Sequence, residues 1–169
     1  MNQMQVNVDD EFINGVTGER YVFKATAAST GGAYVAFENF APAGLVGPPS
    51  HLHPKQTETF TMLEGQLTLT MEGKTVTLGA GESVTVPVGV AHTFDNSQGD
   101  AVLFQVRLEP ALDSEQLFAG IIKIAKDSGR TTPSLRQLAR LIYDQESRFQ
   151  IVDVPAWVQN GLLALLSKI

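Results

Sequence analysis

The middle of the chain alternates between apolar and polar positions. From Thr57 to Met62, Glu58, Phe60 and Met62 fall on one side and Thr57, Thr59 and Thr61 on the other, the period of a strand with two different faces. Leu67, Leu69 and Met71 alternate with Gln66, Thr68 and Thr70, and Val76 and Leu78 alternate with Thr75 and Thr77. Glu72-Gly73 between these runs predicts a two-residue hairpin. Val84 and Val86 continue the alternation, His92 and Phe94 share a face, and 101–108 is a last apolar strand after a turn at 96–100. Upstream, 21–25 and 33–40 read as strands on either side of a turn at Ser29-Thr30-Gly31-Gly32. Met4, Val6 and Val8 alternate as a short edge strand would. The pattern predicts about eight to ten short strands with threonine-rich wet faces, in a mainly β sandwich or barrel.

The period changes at Glu109-Pro110. Leu117, Phe118, Ile121, Ile122, Ile124 and Ala125 form a helical stripe, with Asp113 or Ser114 as N-cap and Gly129 just past the end. Thr132-Pro133 predicts the start of a second helix, with Leu135, Leu138, Leu141 and Ile142 inside. Pro155 predicts the start of a third, carrying Trp157, Val158, Leu162, Leu163, Leu165 and Leu166. The expected organisation is a β-barrel over 1–110 and a helical extension over 111–169, packed on the barrel or on a partner subunit.

The 169 residues carry a net charge of −6, which disfavours nucleic acid as a partner because phosphate binding needs a basic face. A helix-turn-helix reader in the tail is disfavoured for the same reason: Arg136, Arg140, Arg148 and Lys168 are opposed by Asp144, Glu146 and Asp153. No apolar run is long enough to span a membrane, and no secretion signal is visible at the start. A cytoplasmic protein is therefore expected. There are no cysteines, so any metal must be held by nitrogen and oxygen.

The chain has three histidines, and two of them are His51 and His53. On a strand this spacing puts both imidazoles on one face. Glu58 follows, and if it faces inward so do Phe60 and Met62. The third histidine, His92, would come from a strand elsewhere in the barrel. A lone histidine is ordinarily packed or on the surface, but here every histidine falls into one pattern. Three imidazoles and a carboxylate suit one divalent transition metal, Fe, Mn, Ni, Zn, Co or Cu, with about two coordination positions left open.

His51-x-His53-x4-Glu58-x6-Gly65 resembles the first cupin motif, and Gly81-x5-Pro87-x-Gly89-x2-His92-x3-Asn96 resembles the second at every position. The leading glycine of the first motif should fall at Leu45, whereas the glycines here are Gly44 and Gly47. The resemblance covers roughly 33–108. It implies a cupin double-stranded β-helix, or jelly-roll barrel, followed by two or three helices. It also implies that His51, His53, Glu58 and His92 bind the metal, and that the protein is a homodimer acting on a small molecule.

For activity, the resemblance points first to an oxidoreductase of dioxygenase type. Glu58 would then move between ligand and general base, and Phe60, Met62 and Phe94 would wall the substrate. Redox-neutral isomerisation or decarboxylation, and binding or sensing without turnover, remain open. Gln56, beside the ligands, is a candidate hydrogen-bonding group for substrate, and Arg107 is expected to lie outside. No cluster near the motifs supplies a second acid or base.

Overall fold

The computed structural model describes residues 4–131, 134–143, 149–152 and 155–167. Within them the chain runs β1 (Glu11–Ile13), β2 (Arg20–Ala25), α1 (Ala27–Thr30), β3 (Val35–Ala41), β4 (His51–Leu52), β5 (Thr57–Glu64), β6 (Gln66–Met71), β7 (Lys74–Gly79), β8 (Ser83–Val86), β9 (His92–Asp95), β10 (Val102–Glu109), α2 (Ser114–Ser128), α3 (Leu135–Ile142), β11 (Gln150–Ile151) and α4 (Ala156–Ser167). The strands form two antiparallel sheets, ordered β1-β2-β3-β10-β5-β8 and β11-β4-β9-β6-β7.

The alternation in the sequence is the alternation in burial. On β5, Glu58, Phe60 and Met62 are buried and the threonines between them are not. On β10, Val102, Phe104, Val106 and Leu108 face the core, which places this strand between β3 and β5 with an apolar inner face. Phe23, Phe37, Phe104, Met62, Leu67 and Leu69 fill the space between the sheets, each removing apolar surface worth about 1.5–3 kcal/mol from water. The polar faces are laced by cross-strand threonine pairs, Thr59–Thr85 at 2.8 Å and Thr68–Thr77 at 3.2 Å. The hairpin at Glu72-Gly73 has positive φ at both residues, +49° and +76°, the conformation that matches strand twist in a two-residue loop.

Several local expectations are corrected. The edge strand is not at 4–8 but at Glu11–Ile13. Both the backbone and the side-chain amide of Asn7 donate to Asp10 Oδ2, at 2.7 and 3.2 Å, and turn the chain before it can pair. The segment read as a turn at 29–32 begins as α1, because Thr26 and Ser29 cap each other reciprocally and Gly31 ends the helix in the left-handed region at φ +62°. Strand β11 was not expected at all. It pairs Gln150 with Leu52 and Ile151 with His51, so the tail adds a strand to the second sheet.

Helix α2 ends at Gly129 as expected, with φ +63°. It is tied to the barrel at its first turn. Gln56 Nε2 donates to Pro110 O at 2.7 Å and to Ser114 Oγ at 2.7 Å, and the backbone N–H of Ala27 donates to Glu115 Oε1 at 3.2 Å. Leu117, Ile122 and Ala125 are buried beneath α2, and Ile124 is half-buried. The Thr132-Pro133 start of α3 lies outside the described residues, as do the side chains of Leu135, Leu138, Ile142, Leu162 and Leu163. Helix α4 follows Pro155, whose carbonyl accepts from Val158 and Gln159. It leaves Trp157 78% and Leu165 63% exposed. No helix among the described residues is long and apolar enough to cross a membrane.

Candidate metal centre

Two sheets meet at the histidines. His51 on β4 and His92 on β9 are direct cross-strand partners, so the strand carrying His92 is the immediate neighbour of the strand carrying His51 and not a distant one. His53 follows β4 by one residue, and Glu58 enters from β5 on the opposite sheet. One ligand atom from each of the four lies within 4.8 Å of all the others. They are 9%, 3%, 4% and 2% exposed for His51, His53, Glu58 and His92.

Each imidazole has a defined setting. His51 Nδ1 lies 2.9 Å from Pro49 O, and His92 Nδ1 lies 3.0 Å from Val90 O. A carbonyl can only accept, so both Nδ1 atoms carry the proton and both Nε2 atoms are directed to the cluster. His92 Nε2 is 2.6 Å from Glu58 Oε2, and His53 Nε2 is 3.3 Å from the same oxygen. Neither ring nitrogen of His53 has a well-formed hydrogen bond, although both are buried. Buried nitrogens without partners are costly, and a cation among these four groups would satisfy the one that faces them. The donor set and the unpaired His53 nitrogen both fit a divalent metal.

The charges are arranged for this. Burial pushes His51 down to about 4, against the opposing pull of Glu58, so its ring is neutral and can offer a lone pair. Burial alone would raise Glu58, but the His53 and His92 side chains outweigh it and hold the carboxyl well below the usual range. Burial would likewise lower His92, and Glu58 reverses it to leave His92 raised.

The cluster forms one wall of a cavity of about 220 Å³. Phe60 and Phe94 line it, as the sequence predicts. Met62 and Gln56 do not line it. Met62 is fully buried core further along β5, where the inward face has left the cavity for the space between the sheets. Gln56 turns to Pro110 and Ser114 and holds α2. Arg107 lies outside as expected, stacked 3.9 Å over Tyr34 and paired with Glu109 at 3.0 Å. The missing motif glycine is explained by Gly47. A Cβ there would lie 1.9 Å from Phe94 O, so the close crossing that needs glycine falls two residues later than Leu45, which instead bridges to Asn96.

Sequence reasoning missed most of the cavity. Asn14, Glu19, Tyr21, Phe37 and Asn39 line it from β2, β3 and the chain before them. Phe118, Ile121 and Ile122 line it from α2, and Phe149 from the start of β11, with its ring 5.3 Å from that of His51. The sequence offers no histidine, lysine or tyrosine cluster near the motifs as a second acid or base, but the fold brings Glu19 and Tyr21 to the same cavity. Their signal was present only as period two, since Glu19, Tyr21 and Phe23 share a face.

Residues 36–107 match the Cupin_2 family, described as a cupin domain. The chain is 30% identical over 135 residues to the protein named Probable oxidoreductase virH of Hypocrea virens (strain Gv29-8 / FGSC 10586), over 75% of this chain and 60% of that one. It is 31% identical over 87 residues to Quercetin 2,3-dioxygenase of Bacillus subtilis (strain 168), over 50% of this chain and 24% of that one. Among solved structures, an RmlC-like cupin from Shewanella frigidimarina NCIMB 400 shares the fold with a TM-score of 0.52 and 18% identity, covering 62% of this chain and 86% of that one. Residues 36–107 are thus a cupin domain, and the chain spans 60% of the length of the first of these relatives.

Proposed function

We propose that the protein is a metal-dependent oxidoreductase of dioxygenase type acting on a small aromatic molecule, with His51, His53, Glu58 and His92 as the metal ligands. The observation that carries this reading is the four-residue cluster, with an unpaired buried His53, set in the wall of an aromatic cavity. The names of the two curated relatives, an oxidoreductase and a quercetin dioxygenase, support the reaction class. A bound divalent transition metal would supply Lewis acidity and redox chemistry at this wall.

The chain's own groups do the rest. The Pro49 and Val90 carbonyls fix the imidazole orientations of His51 and His92. Glu58, kept ionised at neutral pH, serves first as a ligand. It becomes a proton acceptor for a substrate hydroxyl only when its contact with His92 is relaxed. Phe60, Phe94 and Phe118 exclude water and offer ring faces and edges to an aromatic substrate.

The experiment has two arms. Protein purified without chelator should carry about one transition metal per chain by elemental analysis, and His51→Ala and His92→Ala should each lose it while keeping the β circular-dichroism spectrum. Metal-loaded protein should consume oxygen with members of a panel of flavonols, catechols and aryl diketones. Full metal in both variants would refute the ligand assignment, and no oxygen uptake across the panel would refute the reaction class.

A further inference from the structure

The cavity has a second polar end. Tyr21 on β2 and Asn39 on β3 are direct cross-strand partners with inward side chains, and Glu19 lies two residues before Tyr21 on the same face. Tyr21 Oη donates to Glu19 Oε1 at 3.2 Å, and Asn39 Nδ2 donates to that same oxygen at 3.2 Å. The trio is distinct from the metal ligands, and of its members only the Tyr21 ring packs into the hydrophobic core.

It is also incomplete. Asn39 is 2% exposed, and its Oδ1 is buried with no hydrogen-bond partner. A purely architectural trio would satisfy all of its atoms, because a buried acceptor left open is costly. Here Glu19 and Tyr21 hold the amide by its nitrogen and leave its oxygen free, on a residue that lines the cavity. Burial raises Glu19 against its two hydrogen bonds. Burial first, and then the charge of Glu19, raises the Tyr21 phenol, so Tyr21 stays a donor throughout the neutral range.

Much of the remaining lining is aromatic. Phe118 and Phe37 pack tilted at 4.8 Å, and Phe60 and Phe94 are 6.5 Å apart near edge-on, so the cavity wall offers ring faces and edges to a ligand ring. The volume of about 220 Å³ is below the roughly 300–1,000 Å³ of drug-sized sites, which suits one ring with a short substituent.

We propose that Asn39 is the specificity-determining residue of this site: its Oδ1 accepts a hydrogen bond from a phenolic hydroxyl of a one-ring aromatic ligand whose oxygen-bearing end faces His51, His53, Glu58 and His92. Glu19 and Tyr21 are positioning residues that fix the amide. This inference rests on the metal-dependent reading of the cavity. It adds the ligand's far end, which that reading leaves undefined.

The test uses two aryl diketones with nearly equal electronic character at the chelating end. These are 1-(4-hydroxyphenyl)butane-1,3-dione and its 4-methoxy analogue, with the unsubstituted phenyl compound as reference. Each is titrated anaerobically into the nickel-loaded full chain and read by the absorption band of the metal-bound enolate. The hydroxyl compound should bind at least about tenfold more tightly than the other two, since a site built to pair a hydroxyl rejects analogues that lack it. Asn39→Leu should reduce that ratio to about one and leave the reference compound within about threefold of wild type. Glu19→Gln, which keeps an acceptor for both Tyr21 and Asn39, should retain the preference, and Glu19→Leu should lose it.

Equal affinities in wild type, with the enolate band present, would overturn the role of Asn39 and leave the metal reading standing. Bound nickel with no band for any compound would overturn the aromatic ligand class. Failure to bind nickel would overturn the metal reading and this inference with it. If Asn39→Leu does not fold, the wild-type comparison and the Glu19 pair still decide.

Discussion

Replacing Gln56 with leucine separates architecture from substrate recognition at a residue two positions before the ligand Glu58. Gln56 is 1% exposed, and its amide nitrogen has two short bonds, to Pro110 O and Ser114 Oγ at 2.7 Å each, with Ala111 O further off at 3.3 Å. Leucine of similar length fills the space and leaves two acceptors without their donor. Each buried group so abandoned costs about 1–3 kcal/mol, partly offset by the apolar side chain. The expected net loss is about 2–4 kcal/mol. For a chain of this size each kcal/mol moves Tm by about 2–4 °C, so the expected fall is about 4–16 °C. The assay is thermal unfolding followed by circular dichroism, alongside metal content and binding of the aryl diketones. Metal stoichiometry should not change, because Gln56 belongs neither to the ligand cluster nor to the cavity lining. An unchanged Tm together with lost diketone binding would refute this reasoning and restore Gln56 as a ligand-binding group.

Two further outcomes follow from groups that are buried without full compensation. His53→Leu removes a ring whose Nδ1 is buried without a partner and whose Nε2 lies 3.3 Å from the buried Glu58 carboxylate. It should lose the stabilisation of about 2.7 kcal/mol that wild type gains at a hundredfold excess of metal over Kd, and a variant whose Tm still rises on adding metal would contradict this. Glu19, whose carboxyl is raised from 4.5 by burial, contributes stability that is present below pH 4.5 and is lost as pH rises through its folded value. The urea midpoint of wild type relative to Glu19→Gln should therefore decline from pH 4.5 towards neutrality, and a flat difference would count against a buried acid there.

Much of the barrel was legible because one face of each strand is wet. Threonine on that face makes the period of two unmistakable in β5, β6 and β7, and the positive-φ hairpin at Glu72-Gly73 sets the register of β6 with β7. The metal cluster was legible for a different reason. His51, His53 and Glu58 are close in sequence, and His92 sits in a second motif of matching spacing. What was not legible depends on which strands become neighbours. Nothing local says that β4 pairs with β9, or that two residues near the far end of the chain will pair with His51 and Leu52. Met62 and Gln56 show the complementary limit. Both continue the inward parity of Glu58, yet inward is a direction into the whole interior. One meets the core and the other meets the start of α2.

This division has a consequence for how the relatives are used. The metal cluster lies wholly within the stretch that matches the cupin family, 36–107. Several of the groups that shape the cavity around it do not. Asn14, Glu19 and Tyr21 precede that stretch, and Phe118, Ile121, Ile122 and Phe149 follow it. The surroundings of the ligand thus draw also on parts of the chain outside that stretch, joined to it by β2 pairing with β3 and by β11 pairing with β4. Likeness in the matched stretch bears on what a metal could do at His51, His53, Glu58 and His92. It bears little on which molecule is presented to it, because the open oxygen of Asn39 is held by Glu19 and Tyr21 from outside that stretch. Glu19→Leu should therefore lose the ligand preference without changing metal content, whereas His92→Ala should lose the metal itself.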